Sequence, residues 1–479
     1  MISPTPGPDG SNGPASTDRH AEYFAELRRR EFPRIDDGNH AYLDYTGSGL
    51  HAESLVRDYA EYLTRTVLGN PHSENPSSRA ATGKVEEARE DVLAFFEADP
   101  DQYDVCFTAN ASAALRLVGE SYPFEPGSRF VLSTDNHNSV HGIREFAQSH
   151  GATVEYLPLD DELRLALPDL SSLPDVTGSP PSLFAYNSQS NFSGVKSSLD
   201  LIPQAKAKGY DVVLDAAASV PTNSLSLRSV HPDFVCVSFY KMFGFPTGVG
   251  ALIVRKDALR KLRRPWFAGG TVEFASVQNR VHRLVSTVEA FEDGTPNFLS
   301  IAAIPAGLAL LREIGMDRLH DHVYGLMATL LEGMLELQHE NGAPRLKLYG
   351  PRTMENRGAT VAFNVLDPEG EVVYHDHVVK QAGDARISLR GGCFCNPGAA
   401  EAAFEFQADR TLQCFHTLPQ GEFSPARLSH CMGDLPVGAV RASLGMASNA
   451  ADVARLLSFL SSDIGVAAPA NTEFTASGP

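Results

Sequence analysis

The sequence predicts an α/β fold, with a large domain built on a mainly parallel sheet flanked by helices and a smaller α+β C-terminal domain. Short apolar runs bounded by turn residues alternate with helical patterns up to about residue 300, which is typical of βαβ units. Beyond that point long amphipathic helices lead into a mixed segment. The length of 479 residues also suits two domains better than one.

The domain boundaries follow these changes of pattern. We expect residues 46–300 to form the large domain, residues 301–465 the small domain, and residues 19–45 to pack with the small domain. The ends, 1–18 and 466–479, are rich in small and polar residues, so we expect them to be disordered.

Each element is predicted from its apolar or amphipathic pattern. The predicted strands of the large domain are 129–133, 153–157, 182–186, 211–214, 234–238 and 251–254. The predicted helices are 80–97, 112–120, 141–149 and 199–208 in the large domain, and 301–314, 316–340 and 451–461 after it.

Charge and cysteine content narrow the class of protein. The net charge of −19, from 40 basic and 59 acidic residues, argues against nonspecific nucleic-acid binding and attraction to anionic membranes. Residues 1–18 fit neither a signal nor a transit peptide, and no apolar run is long enough for a membrane span. Six cysteines are too few for a disulfide framework, so we expect reduced thiols and a cytoplasmic location.

A possible anion site follows the run that ends at Phe107. Small residues form a turn directly before a helical pattern, with Ser112 at the predicted N-cap. Free backbone N–H groups at a helix start suit a phosphate. A serine at such a position is more often only a cap.

Two further strand ends carry charged residues. Asp215 closes an apolar run, where it could keep a pyridine nitrogen protonated or merely cap a helix. Lys241 follows a nearly all-apolar run, where it could be an imine-forming amine or a lysine that extends its charge to solvent. Their order after the phosphate turn favours a cofactor site at the edge of the sheet.

Six collinear segments resemble the class V aminotransferase and cysteine desulfurase superfamily, and most closely the desulfurase domain of molybdenum cofactor sulfurases. The resemblance extends from about residue 40 to 450 and implies a fold-type I pyridoxal 5'-phosphate (PLP) enzyme. The segments are YLDYTG (42–47), GNPHSENPSS (69–78), QSNFSGV (189–195), SFYKMFGFPTG (238–248), FEDGT (291–295) and GCFCNPG (392–398).

The resemblance implies a role for each matched cofactor residue. Lys241 would hold the cofactor and move the substrate's Cα proton, Asp215 would pair with the pyridine nitrogen, and His137 would stack on the ring. Asn191 would touch the phenolic oxygen or the substrate, and Thr295 would reach the phosphate of the neighbouring subunit, which implies a homodimer. The implied cofactor-binding residues are Ala111, Ser112, His137, Asn191, Asp215, Ser238, Lys241 and Thr295.

Two positions depart from the family pattern. The phosphate turn carries Asn110 where relatives usually have glycine, although asparagine tolerates left-handed backbone better than most residues. Ala218 stands where many desulfurases place a glutamine that bonds the phenolic oxygen. These departures bear on how the cofactor is tuned, not on whether it binds.

The resemblance also implies the residues that act on the substrate. Arg441 would bind the substrate carboxylate, for which a planar guanidinium is suited. Cys395 would be the thiolate that attacks the substrate sulfur, with Cys393 as an accessory or rival thiol. Zinc binding is a weak alternative because no second ligand pair has a recognisable spacing. A Cys393–Cys395 disulfide is also disfavoured, because in extended backbone the two side chains lie too far apart.

The implied activity is desulfuration of L-cysteine, leaving an enzyme persulfide and releasing L-alanine. Full-length molybdenum cofactor sulfurases carry a further C-terminal domain, whereas this chain ends soon after the last predicted helix, so we expect a separate sulfur acceptor. Two alternatives remain open: another class V enzyme (aminotransferase, C–S lyase or epimerase) of secondary metabolism, or a non-catalytic partner protein.

Overall fold

The computed structural model describes residues 20–464 except 168, 420, 422 and 423. The predicted disordered ends, 1–18 and 466–479, lie outside the described residues. The strands are β1 (Ala41–Tyr42), β2 (Tyr103–Thr108), β3 (Arg129–Ser133), β4 (Thr153–Leu157), β5 (Leu183–Asn187), β6 (Asp211–Asp215), β7 (Phe234–Ser238), β8 (Gly250–Arg255), β9 (Val272–Ser276), β10 (Val281–Leu284), β11 (Leu346–Tyr349), β12 (Thr360–Val365), β13 (Ile387–Ser388), β14 (Arg390–Gly392) and β15 (Ala439–Ser443).

The helices lie around these strands, with one 3₁₀ turn at Val288–Phe291. They are α1 (Ala21–Glu31), α2 (Pro33–Asp37), α3 (Glu53–Arg65), α4 (Pro76–Phe95), α5 (Ala111–Ser121), α6 (Asn138–His141), α7 (Ile143–Ser149), α8 (Leu201–Ala207), α9 (Phe239–Phe243), α10 (Lys256–Leu259), α11 (Phe298–Ile301), α12 (Ile304–Ile314), α13 (Met316–Glu336), α14 (His375–Asp384), α15 (Pro397–Ala403), α16 (Ala408–Thr417), α17 (Pro425–Cys431) and α18 (Ala450–Ser461).

A seven-stranded sheet forms the large part of the molecule, in the order β2-β8-β7-β6-β5-β3-β4. Strands β7, β6, β5, β3 and β4 pair in parallel, and β8 is antiparallel to both of its neighbours. The strands β5, β6 and β7 are buried at every position, as expected for a sheet covered by helices on both faces. The mainly parallel α/β architecture predicted from the sequence is therefore confirmed.

The smaller sheet is antiparallel, in the order β11-β12-β15-β14. Helix α14 packs against β12, β14 and β15, and α13 packs against α18. The N-terminal segment joins this part of the chain, because β1 pairs in parallel with β13 and Arg28 of α1 donates to Asp452 of α18 at 2.5 Å. The domain boundaries at 45/46 and 300/301 stay predictions.

The predicted strands agree with the observed ones to within a residue at each end. The sequence prediction missed β2, which pairs along its whole length with β8. Asp104 interrupts the apolar run of β2, so its strand conformation depends on a partner that is distant in sequence. The helix predicted at 80–97 begins earlier, at Pro76, where Asn75 supplies the cap by accepting from the Ser78 N–H.

The expectation of reduced cysteines is wrong at two positions. Cys414 of α16 and Cys431 of α17 form a disulfide with a Cα–Cα distance of 5.8 Å. No sequence pattern indicates this disulfide, because the pairing depends on how the two helices pack. Cys106 and Cys236 are buried free thiols. No single helix in the described part of the chain is long and apolar enough to cross a membrane; α11–α12 and α13 pass that test only together, as a pair bent by 68°.

Candidate active site

A cavity of about 150 Å³ lies at the edge of the large sheet where β2, β3, β5, β6 and β7 end. Parallel strands bring their carboxyl ends to one edge, and ligands of α/β sheets bind there. Every predicted cofactor residue except Thr295 lines this cavity. The lining includes Asn110, Ala111, Ser112, His137, Ser139, Asn187, Gln189, Asn191, Asp215, Ala218, Ser238, Tyr240 and Lys241.

Lys241 is held by a short helix at the end of β7. Helix α9 begins directly after Ser238 and ends at Gly244, whose φ of 79° is left-handed. Burial lowers the pKa of Lys241, and Asp215 opposes that shift. The Lys241 amine has no hydrogen bond or ion pair to any other described residue. A buried, unpaired amine of this kind is available as a nucleophile.

Asp215 is fixed at the end of β6. One carboxylate oxygen accepts a hydrogen bond from the Ala217 N–H at 3.0 Å, and the second has no partner among the described residues. The alternative role, capping a helix, is not observed, because residues 217–220 form turns. The free oxygen of this buried carboxylate can therefore serve a ligand in the cavity.

The start of α5 provides an anion site, although not with the predicted cap. Asn110, not Ser112, is the N-cap: its side chain accepts from the Ala113 N–H, and its φ of −175° is extended rather than left-handed. The Ala111 N–H donates to the Ser238 hydroxyl at 2.8 Å, while the Ser112 N–H has no described acceptor. The Ser112 and Ser139 hydroxyls lie 2.6 Å apart. Three hydroxyls and a helix N-terminus thus converge on one end of the cavity.

His137 lies between β3 and α6, where it is the N-cap of α6. Its Nδ1 accepts a hydrogen bond from the Ser139 N–H at 3.1 Å, which places the proton of the neutral ring on Nε2. Burial lowers the pKa of His137, and the Asp215 carboxylate opposes that shift. A neutral imidazole is suited to stack on an aromatic ligand and to exchange a proton.

Arg441 is buried on β15, with only 2% of the residue exposed, so it does not face solvent. It donates to Asp44 at 2.9 Å and to the Asn191 carbonyl at 2.9 Å, and its guanidinium lies 4.8 Å from the centre of the Phe394 ring. Its Nε–H has no hydrogen-bond partner among the described residues. Burial lowers the pKa of Arg441. A desolvated guanidinium with an unused donor can bind a carboxylate.

The two cysteines of the loop at residues 390–396, which we term the cysteine loop, differ in their surroundings. Phe394 and Cys395 have left-handed φ angles of 55° and 57°, so the extended backbone assumed in the sequence analysis is wrong. Cys395 is exposed, and it is among the groups that act electrostatically on Lys241, Arg390 and Arg441. Cys393 is half-buried and packs against the apolar cluster around Phe192.

Thr295 lies away from the cavity, and Gln189 is a polar residue of the cavity that the sequence analysis does not predict. Thr295 is exposed outside the cavity, where it accepts a hydrogen bond from Asn70 at 3.4 Å. Gln189 lines the cavity beside Ala218 and donates to the Ala218 carbonyl at 3.1 Å.

In the described part of the chain, no group of three or more His, Cys, Asp or Glu side chains is placed to hold a metal ion.

Sequence reasoning missed four polar residues that hold the cysteine loop: Arg390 and Asn396 at its ends, and their partners Asp44 and Asp135. Arg390 forms a bidentate pair with Asp44, 346 residues away, and Asn396 donates to Asp135 at 2.5 Å. Asp44 and Asn396 lie inside the quoted motifs, but no local pattern shows what they contact. Their contacts become visible only in the folded structure, where segments distant in the sequence lie side by side.

The comparisons with known proteins agree with this geometry. The family model "Aminotransferase class-V" matches residues 41–456. The chain is similar to the molybdenum cofactor sulfurases of Arabidopsis thaliana, at 35% identity over 91% of this chain and 57% of that protein, and of Homo sapiens, at 35% over 91% and 51%. It therefore spans between half and three fifths of the length of these relatives. The apo structure of the cysteine desulfurase from Thermococcus onnurineus NA1 matches with a TM-score of 0.74 and 26% identity, covering 91% of this chain and 97% of that one.

The chain belongs to the class V aminotransferase family, whose members bind PLP. It is a cysteine desulfurase-like enzyme within that family. The residues that line the cavity also match the chemical groups of PLP. It offers a helix start with hydroxyls for a phosphate, a carboxylate with a free oxygen for a pyridinium, and an unpaired buried amine at Lys241.

Proposed function

We propose that the protein takes sulfur from L-cysteine as a persulfide on Cys395 and releases L-alanine. The observation that carries this proposal is an exposed thiol on a turn that adjoins the cavity. Phe394, the residue before Cys395, accepts a hydrogen bond from Asn191 of the cavity lining, and its ring lies 4.8 Å from the Arg441 guanidinium. An aminotransferase would need the amine and the arginine but not the thiol.

Bound PLP would supply an electron sink at the Cα of the amino-acid substrate. Ser112, Ser139 and Ser238 would hold its phosphate, and Asp215 its pyridinium. His137 would lie against the ring with its proton on Nε2. Backbone N–H groups already hold the side chains of Ser238, Asp215 and His137, so little ordering of these groups is needed on binding.

Arg441 and Lys241 would act on the substrate's α-carbon. The guanidinium of Arg441 would bind the α-carboxylate through donors that include its unpartnered Nε–H. The Lys241 amine, whose pKa is lowered by burial, would then remove the Cα proton. Since the Asp44 carboxylate and the Asn191 carbonyl hold Arg441 from other sides, the bound amino acid has one preferred orientation.

Cys395 would complete the sulfur transfer. Its thiolate attacks the substrate sulfur, an S–S bond forms, and the Cβ–S bond breaks. The electron pair of that bond passes to the three-carbon product, which takes up protons and leaves as alanine, while the sulfur remains on Cys395 as a persulfide. No external oxidant or reductant is needed, because the substrate carbon is reduced as the sulfur is oxidised.

The two cysteines allow a matched test. In Cys395→Ala, alanine and persulfide formation should fall to background while the visible absorbance of bound cofactor is retained. Cys393→Ala, which removes a thiol packed in an apolar cluster, should retain both products. Undiminished alanine release from Cys395→Ala would rule out this nucleophile.

Ala218 favours one alternative, a class V enzyme with other chemistry. Its methyl group cannot donate the hydrogen bond that a glutamine would give, although Gln189 is an amide on the neighbouring connection. Product analysis separates the two activities, because desulfuration yields alanine, whereas a C–S lyase yields pyruvate. An absence of any visible cofactor band in purified protein would favour a non-catalytic partner protein.

We also propose that the enzyme is a homodimer. Apolar side chains are exposed around the β9–β10 hairpin, with Phe274 at 61% and Val277 at 94%. Thr295 lies outside the cavity of its own chain, so it could contact a phosphate only across an interface. Sedimentation of wild-type protein and of Phe274→Ser tests this, and a monomeric wild type would contradict it.

The sulfur acceptor is proposed to be a separate molecule. The names of the relatives suggest the molybdenum cofactor, but those proteins are longer than this chain. We propose that the reaction takes place in the cytoplasm, where a thiolate nucleophile stays reduced; the Cys414–Cys431 disulfide is the one observation that argues against this location. Incubation with ³⁵S-labelled L-cysteine and candidate acceptors would identify the acceptor by the label it takes from Cys395.

A further inference from the structure

Both ends of the cysteine loop are tied to a carboxylate by side-chain hydrogen bonds. At the N-terminal end, Arg390 donates from two nitrogens to Asp44, with the shorter contact at 2.5 Å. At the C-terminal end, Asn396 donates to Asp135 at 2.5 Å. Since Asp44 follows β1 and Asp135 follows β3, the loop is held from two separate parts of the fold.

These two contacts belong to one network that also reaches the substrate arginine. Asp44 accepts from Arg441 as well as from Arg390. Asn191 accepts from Asn396 at 3.0 Å and donates to the Phe394 carbonyl at 2.7 Å. The Asn191 carbonyl accepts from Arg441, so the position of the loop and the position of the arginine are coupled.

The backbone of the loop needs such support. Phe394 and Cys395 are two consecutive non-glycine residues with left-handed φ angles, a conformation that costs free energy unless the surroundings enforce it. The Asn138 N–H also donates to the Cys395 carbonyl at 2.7 Å. The exposed thiol is thus presented by a strained turn whose two flanks are fixed.

We infer that Asp44 and Asp135 are positioning residues that together hold Cys395 at the substrate sulfur. Asp44 also orients Arg441, so the two ends of the loop should have separable effects. This inference rests on the proposed desulfuration at Cys395, and it adds two residues that act only through their neighbours.

The burial and the neutral surroundings of Asp135 support this role. Asp135 is only 4% exposed, and its described partners Asn396, Ser190 and Asn187 are uncharged. A buried carboxylate without a cation destabilises a fold. A requirement for charge-assisted hydrogen bonds to the cysteine loop would explain why the Asp135 carboxylate is buried beside it.

Asp44→Asn and Asp135→Asn test the two ends separately. Asp135→Asn should lower the rate constant kcat of alanine formation about tenfold to a hundredfold with little change in the KM of L-cysteine, because misplacing a reacting group costs rate. Asp44→Asn should lower kcat and also raise KM, because Arg441 loses its carboxylate partner and keeps only the Asn191 carbonyl. Asp452→Asn is the matched control: its carboxylate binds the buried Arg28 away from the cavity, so kcat and KM should be unchanged.

Hydrogen–deuterium exchange provides a measurement that does not depend on activity. In the purified full chain, the peptide spanning 390–399 should exchange at least about fivefold faster in each site variant than in wild type or Asp452→Asn. Arg390→Lys and Asn396→Asp replace the aspartate variants if those fail to fold, since they weaken the same contacts from the loop side.

The outcomes are distinguishable. Unchanged loop exchange and unchanged kcat in both site variants would overturn the inference. Faster exchange without any alanine formation by the wild type would retain the positioning of the loop and reject the proposed desulfuration. Equal effects of both variants on KM would contradict the separate roles of Asp44 and Asp135.

Discussion

The cofactor cavity and the cysteine loop meet in one site, but different interactions hold them. Lys241, Asp215 and Ser238 stand at or just beyond the ends of adjacent buried strands, so the backbone ladder of the sheet fixes their positions. The cysteine loop depends on side-chain hydrogen bonds from Asp44 and Asp135. The cavity should therefore tolerate loss of one polar contact, whereas the loop should not.

The largest effect is expected where the cavity loses its nucleophile. Lys241→Ala should lower desulfuration on the order of 1,000-fold or more, because one amine both attaches the cofactor and moves the proton. The visible absorbance of lysine-bound cofactor should disappear while the fold, measured by circular dichroism, is retained. Lys196→Ala, which removes a half-buried lysine outside this cavity, is the control. Retention of the lysine-bound absorbance in Lys241→Ala would reject Lys241 as the attachment site.

The cofactor cavity and the cysteine loop also differ in how much of each can be predicted from the sequence. The strand-end residues could be predicted because an apolar run and the residue that follows it are adjacent in the chain. Even there, the pattern predicts Ser112 as the N-cap whereas the structure has Asn110, because capping depends on where the helix begins. The family resemblance supplied Cys395 and Arg441, which local pattern alone left open.

The cysteine loop could not be derived in the same way. Asp44 contacts Arg441 across 397 residues, and Asn396 contacts Asp135 across 261. Neither contact has a periodicity or spacing that a sequence pattern reveals. The left-handed turn at Cys395 likewise results from these tertiary contacts and not from a glycine at that position.

A smaller effect is expected where the two regions share Arg441. Arg441→Lys retains a positive charge but loses the planar donors, so the KM of L-cysteine should rise roughly tenfold to a hundredfold. The cofactor absorbance should be unchanged. Arg28→Lys, at another buried arginine paired with carboxylates, should leave KM unaltered. An unchanged KM in Arg441→Lys would place the substrate carboxylate elsewhere.

The pH dependence separates the loop from the cavity further. Burial raises the pKa of Asp135 to about 6, above its ordinary value, so the folded state binds this proton more readily than the unfolded state. The stability that the proton contributes is complete below the ordinary pKa near 4 and is lost as pH rises through about 6.

At pH 7.5 the free energy of unfolding of Asp135→Asn, measured by urea denaturation, should therefore exceed that of wild type by on the order of 1–3 kcal/mol. The variant should nevertheless turn over more slowly. The difference in stability should shrink towards pH 4. A variant that is less stable than wild type at pH 7.5 would show that the hydrogen bonds of Asp135 outweigh the cost of burying its charge.

The smallest effect on activity is expected at the disulfide, which lies outside both regions. Cys414 and Cys431 are separated by 17 residues and do not line the cavity. Replacing both with serine should lower stability by at most about 3 kcal/mol, the entropy of a loop of this length, and should change kcat less than about twofold. Thiol titration of the unfolded, unreduced wild type should find the four free cysteines. If the double variant instead lost activity tenfold, the α16–α17 segment would have to support the cysteine loop, and the loop would no longer depend on its two carboxylates alone.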